Sequence, residues 1–258
     1  MMDEDAPEPG APTARTTLVI AALGVFAVFL DTTVLFVAFP RIVASFPGTQ
    51  ATELSWVLNA YTIVYAALLV PAGKLSDRWG HKRTFLAGSI AFTATSALCG
   101  LAPNAWTLIA FRALQAVGGA LLIPASLALV IRATPPRDLP VSVAVWGALG
   151  AVSGAIGPTL GAGIIAALGW RGVFFLNVPV GIATWVLGRR TLRESANPET
   201  PAPALSGVAL VAVGAAVASL GFVQSEAWGW SDPRTVGSLT LGAALLVVFS
   251  FLQRTSSA

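Results

Sequence analysis

Gly73 to Arg83 reads GKLSDRWGHKR, with Lys74, Asp77, Arg78, Lys82 and Arg83 charged, set between two long apolar runs. Across the 258 residues only 10% are Asp, Glu, Lys or Arg and 55% are hydrophobic, whereas a soluble domain is about 25% charged. The mean hydropathy is +0.77. Too little polar surface exists to coat a soluble body, so a dense charged segment between apolar runs reads as a loop joining two membrane spans.

Working outward, eight apolar stretches follow, at roughly 17–39, 54–72, 84–101, 106–131, 141–168, 172–188, 205–223 and 236–252. Most reach the 17 to 25 residues a helix needs to cross the hydrocarbon core, and 172–188 is the marginal one. None shows the alternation of barrel strands, and lipid offers backbone groups no partners, so the spans are helices. The fold class is an all-α polytopic membrane protein. The expected organisation is a disordered tail over 1–16, a six-helix bundle over 17–188, a linker over 189–204, two further helices over 205–252 and a tail over 253–258. The acidic, Pro-rich start MMDEDAPEPG lacks the basic opening of a cleavable signal.

Basic residues set the orientation. With the N-terminus inside, Arg15, Lys74, Arg78, Lys82, Arg83, Arg132, Arg137, Arg189, Arg190, Arg193 and Arg254 fall on the cytoplasmic side, against Arg41, Arg171 and Arg234 outside. Such a bias predicts both termini in the cytoplasm and a multi-pass protein of the cell membrane. The net charge of +3 then reports loop topology, and no basic face is left for nucleic acid. A single cysteine, Cys99, and a single histidine, His81, speak against disulfides within the chain and cysteine- or histidine-based metal sites. The sequence has no nucleophile elbow and no GxxxxGK[ST] loop, so neither an enzyme nor an ATP-driven pump is expected. Trp228 and Trp230 read as headgroup-level anchors.

Within the charged segment, Gly73 and Gly80 permit a tight turn. Asp77 is expected to accept hydrogen bonds from a helix N-terminus or to pair with a base on a neighbouring span, as a latch. Arg78 is expected to help fix the turn. Arg112 lies inside span four, where a charge costs roughly 2.5–3.5 kcal/mol on insertion scales and must face protein or water. It is either a hydrogen-bond hub between spans or a functional charge; Asp31, seven to eight residues from the end of span one, is the acid of the same bundle that suits it best, and the sequence leaves open whether the two touch. Glu53 reads as an interfacial or helix-start residue. Gly150 to Gly154 and Gly157 to Gly161 in span five have the spacing that lets two helices approach closely, and Pro158 adds a local bend.

GKLSDRWGHKR resembles the signature loop of the major facilitator superfamily, G-x-L-[AS]-D-R-x-G-[RH]-[RK]-[RK], matching at Gly73, Leu75, Ser76, Asp77, Arg78, Gly80, His81, Lys82 and Arg83. Leu30, Asp31, Thr32, Thr33 and Val34, with Ala38 and Pro40, resemble the L-D-x-T-[IV] segment of the drug:proton antiporters. Arg112, Gln115 and Gly118 resemble the span-four motif. Gly157, Pro158 and Gly161 resemble the antiporter motif of span five, with Ala162 replacing its usual last glycine, and Trp170 to Gly181 is similar to the outer turn into span six. Two spans after the sixth resemble the fourteen-helix branch.

The resemblance implies proton-coupled export of small amphipathic compounds, with Asp31 and Arg112 coupling protons to substrate and no cofactor. It also implies two six-helix halves. The sequence reaches one half and two further spans, so the expectation is a truncated product or a partner bundle supplied by a second polypeptide or a second copy. The alternative expectation is a membrane protein that binds others without transporting, or a remnant.

Overall fold

The computed structural model describes residues 14–196 and 205–256. Residues 1–13 of the tail expected over 1–16, 197–204 of the linker expected over 189–204, and 257–258 of the tail expected over 253–258 lie outside the described residues. Eight long helices run through the rest: α1 Ala14–Ser45, α2 Trp56–Trp79, α3 His81–Gly100, α4 Ala105–Ala133, α5 Leu139–Leu168, α6 Trp170–Thr191, α7 Leu205–Trp228 and α8 Pro233–Ser256. Two short helical turns, Ala51–Leu54 and Pro136–Asp138, precede α2 and α5. No strand occurs among the described residues.

Several helices overrun the apolar stretches. α1 starts at Ala14, inside the expected tail, and α8 reaches Ser256. Hydropathy finds only the part that crosses hydrocarbon, about 30 Å; a helix of 32 residues is about 48 Å long at 1.5 Å per residue. Seven of the helices are long and apolar enough to cross a membrane. α6, the marginal stretch by sequence, is among them, and α3 is the one that falls short. Its first turn is His81, Lys82 and Arg83, and Ser89, Thr93, Thr95 and Ser96 follow. Those hydroxyls are satisfied inside protein: Ser89 donates to the Gly181 carbonyl at 3.2 Å and Ser96 to the Phe174 carbonyl at 2.9 Å. Wedged between α4 and α6, α3 has less need of a lipid-facing apolar surface.

Local signals end the helices. Gly80 (φ 106) alone separates α2 from α3, Gly169 (φ 70) alone separates α5 from α6, and Gly229 (φ 93) follows α7, left-handed positions that an L side chain occupies only with strain. Asn104 caps α4 through the Thr107 N–H at 2.9 Å. The Glu53 carboxylate accepts from the Gln50 N–H at 3.2 Å in a capping box, so Glu53 is the helix-start residue its position suggested.

α1 is central, touching α4, α5 and α6, while α2 lies on α4 and the α7–α8 pair docks against α2. Lys74 sits over the Phe249 ring at 5.0 Å in that contact. α3 and α4 cross very closely: a Cβ on Gly118 would run into the Phe92 backbone, and one on Gly88 would lie 2.9 Å from the Gly118 carbonyl oxygen. Two apolar clusters fill the bundle, one around Leu35, Ile42, Leu54 and Phe174 and the other around Val25, Phe85, Phe92 and Leu122. One end of the bundle gathers the start of α1, the end of α4 and the basic segment after α6 around a shared cavity. At the opposite end Trp170 donates to the Ser45 hydroxyl at 2.9 Å.

Candidate functional site

Between the two apolar clusters lies a polar knot with no exposure. Arg112, on α4, and Asp31, on α1, are each 1% exposed, and Gln115, one turn on from Arg112, is 0% exposed. Arg112 Nη1 donates to Asp31 Oδ2 and to Gln115 Oε1, both at 2.6 Å, and its Nε donates to the Val57 carbonyl of α2 at 3.2 Å. Gln115 Nε2 donates to Asp31 Oδ1 at 3.1 Å. The second donor to that oxygen is Asn177 of α6, at 2.7 Å, which also reaches Ser96 Oγ of α3 at 3.1 Å. Four helices therefore meet on one carboxylate–guanidinium pair, and a fifth, α3, joins through Asn177. The guanidinium lies over the Tyr61 ring at 4.1 Å, with the Phe174 ring at 5.9 Å, a geometry that holds a desolvated cation. The sequence pointed to Asp31, Arg112 and Gln115. It missed Asn177, Ser96 and Tyr61, although an asparagine inside an apolar run and one of only two tyrosines were visible signals.

α5 lies on α1 beside this knot. Gly157 is packed so closely on Thr33 that a Cβ there would overlap its hydroxyl, and one on Gly161 would lie 2.8 Å from Val34 Cγ1. The glycines of span five thus meet the span-one segment two and three residues beyond Asp31. Pro158, beside them on α5, is exposed. Gly118 serves the α3–α4 crossing.

The charged segment differs from its sequence reading. α2 continues to Trp79, so Gly73, Lys74, Asp77 and Arg78 are helical and Gly80 alone makes the turn. Gly73 is in ordinary contact range of Pro124, where an added Cβ would sit 3.8 Å from the ring; a turn role for it is corrected. Arg78 is exposed on the last turn of α2, where a cation complements the helix dipole. Asp77 is about half exposed, and its carboxylate lies 3.9 Å from His81 Nε2. Burial and then Arg132 lower the His81 imidazole below its ordinary value, against Asp77 and Glu194, so it is neutral at pH 7, and its Nδ1 is 2.9 Å from Ser76 Oγ. The helix N-terminus that Asp77 was expected to cap belongs to another residue.

That residue is Glu194, which the sequence reading did not single out. Glu194 Oε1 accepts from the Lys82 N–H at 3.2 Å and Oε2 from the Arg83 N–H at 3.1 Å, with Arg83 Nε at 3.7 Å. Lys82 Nζ donates to the Leu192 carbonyl at 2.5 Å and the His81 N–H to the Ser195 carbonyl at 3.3 Å. A Cβ on Gly80 would collide with the Glu194 carboxylate. Residues 192–195 thereby clamp the start of α3. Glu194→Gln and Gly80→Ala are each expected to speed amide exchange at Lys82 and Arg83 by about 2- to 30-fold, the equivalent of a lost cap worth about 0.5–2 kcal/mol, while Gly73→Ala leaves it unchanged. Hydrogen exchange followed by mass spectrometry reads all three, and unchanged protection in Glu194→Gln would refute the clamp.

The family model of the Major Facilitator Superfamily matches residues 21–257. The chain belongs to that superfamily. Among its relatives it is 37% identical over 243 residues to the tetracenomycin C resistance and export protein of Streptomyces glaucescens, covering 94% of this chain and 45% of that protein. It is 34% identical over 248 residues to the multidrug resistance protein Stp of Mycobacterium tuberculosis, covering 95% and 46%. The chain thus spans about half the length of the curated relatives it matches. A solved peptide transporter POT in complex with sulfate superposes with a TM-score of 0.66 at 18% identity, over 95% of this chain and 53% of that one, and shows the shared fold. The major facilitator helices of this chain thus bring the span-one, span-four and span-five motifs together, with the span-one acid bonded to the span-four arginine.

Proposed function

We propose that these residues form one wall of a proton-coupled exporter of small amphipathic compounds in the cell membrane, with the Lys82 and Arg193 end in the cytoplasm. The observation that carries the reading is the Asp31–Arg112 pair, buried to 1% exposure inside helices long and apolar enough to cross a membrane. Ionisable groups at that depth are costly and mark proton or substrate pathways. Protonation of Asp31 would remove the charge that holds Arg112, and so would loosen the bonds from α4 and α6 at the same carboxylate. A proton taken up there is therefore read directly as a change in helix packing. The names of the relatives, as resistance and export proteins, favour drugs or antibiotics as substrate. Alternating access in this superfamily rocks two bundles about a site between them, so the second bundle, from whatever source, supplies the opposite wall. The exposed Asp77 is then free to meet a helix end of that bundle.

The test is co-expression of this chain with a C-terminal six-helix half from a relative, followed in inverted vesicles by movement of a cationic dye. Dye movement that needs both parts and stops when an uncoupler collapses the proton gradient is the expected result. Movement indifferent to the uncoupler would remove the proton coupling, and none in any combination would favour a membrane protein that binds partners without transporting.

A further inference from the structure

At the basic end a cavity of about 220 Å³ opens between the start of α1, the end of α4 and the segment after α6. A single water needs only about 10–15 Å³. Its wall carries Thr17, Arg132, Arg193, Glu194 and Ser195, with Leu129 among its apolar lining. The one carboxylate there is already engaged, since Glu194 accepts from the Lys82, Arg83 and Ser195 N–H groups. No carboxylate lies within ion-pair distance of Arg132 among the described residues. Ser195 Oγ is buried without a hydrogen-bond partner, which costs free energy unless an acceptor enters. Arg132, with no carboxylate partner among the described residues, and Ser195, whose hydroxyl is unused, line the same cavity, a pairing suited to an anion with several acceptor oxygens. The depth is also informative. One turn before the cavity segment, Arg189 stacks over Trp185 at 5.3 Å, and such amphipathic pairs sit at the headgroup level.

We propose that this cavity binds a phosphoryl oxyanion, drawn from the headgroup of an anionic phospholipid of the adjoining leaflet. The Arg132 fork and the Ser195 hydroxyl would hold the phosphate oxygens, a pairing the guanidinium geometry favours. Residues 192–195 both line the cavity and clamp the start of α3. An occupied cavity therefore holds that clamp closed, because a ligand that binds one arrangement better shifts the population toward it. The inference goes beyond the transport reading and is tested without it.

The purified chain would be reconstituted in equal phosphatidylglycerol and phosphatidylcholine, extracted gently, and its retained lipid counted by native mass spectrometry. Phosphatidylglycerol is expected to be enriched, and Arg132→Gln to reduce that enrichment about fivefold, in line with one basic residue beside an anionic surface. Arg137→Gln, whose arginine pairs with Asp138 at 3.5 Å outside the cavity, should keep it. Arg132→Lys, which keeps charge but loses the fork, should fall between. Enrichment that persists in millimolar inorganic phosphate assigns the oxyanion to the lipid; displacement by phosphate, with stabilisation of the lipid-free protein by phosphate alone, assigns it to solution. No preference for phosphatidylglycerol together with no stabilisation by phosphate, or equal enrichment in a folded Arg132→Gln and the unaltered chain, would overturn the site.

Discussion

Arg112→Ala is expected to lower the unfolding free energy by about 3–5 kcal/mol, the usual consequence of removing one member of a buried ion pair. The reason is in the partners left behind. Asp31 would keep the Gln115 and Asn177 amides but lose the cation on its other oxygen at zero exposure, and the Val57 carbonyl and Gln115 Oε1 would each lose a donor. The Tyr61 ring would face a void where the guanidinium had been. Asp31→Asn combined with Arg112→Ala removes the stranded charge and should recover a measurable part of the loss, an interaction of about 0.5–3 kcal/mol between contacting residues. Arg112→Lys keeps a cation but cannot bond three acceptors from a planar fork, so it should fall between. Thermal unfolding in detergent, followed by tryptophan fluorescence, measures the series. A single Arg112→Ala within about 0.5 kcal/mol of the unaltered chain, the range of ordinary surface substitutions, would show that the pair does not hold the bundle together.

Much of the site's chemistry was legible in the sequence because lipid narrows the choices. An arginine inside an apolar run must be buried against a partner, and Arg112 is. A glycine inside the charged segment marks the helix break, as Gly80 does with its positive φ, whereas Gly73, read the same way, is helical. Span positions were also readable, though their ends were not, since helices continue through the headgroup region where hydropathy falls. For the same reason Asp77 and Arg78 looked like loop residues and are helical. What could not be read is pairing across the chain. Asn177 reaches Asp31 from 146 residues away and Glu194 reaches Lys82 from 112, and no local spacing encodes such contacts. The α5 glycines show the intermediate case. Their spacing announced a close helix approach, but only the fold shows that they meet Thr33 and Val34, next to the buried acid.

That acid is where the largest functional effect is expected. In a two-bundle protein containing this chain, Asp31→Asn keeps the volume of the side chain and a carbonyl oxygen that accepts from Gln115 and Asn177 more weakly than the carboxylate does, but it cannot gain or lose a proton. It imitates the protonated acid permanently. If protonation of Asp31 is the event that substrate binding is linked to, the substrate Kd of the unaltered protein should change with pH by about 5- to 150-fold, the size of a coupling free energy of about 1–3 kcal/mol. In Asp31→Asn the same titration should be flat, while the Kd at the most favourable pH stays close to that of the unaltered protein. Substrate-driven proton movement in proteoliposomes should vanish with it. Dye-quench binding across pH, together with a proton flux measurement, separates the possibilities. Loss of affinity at every pH would make Asp31 a structural or substrate-contacting group, and a pH dependence that survives the substitution would place the coupling proton on a different residue.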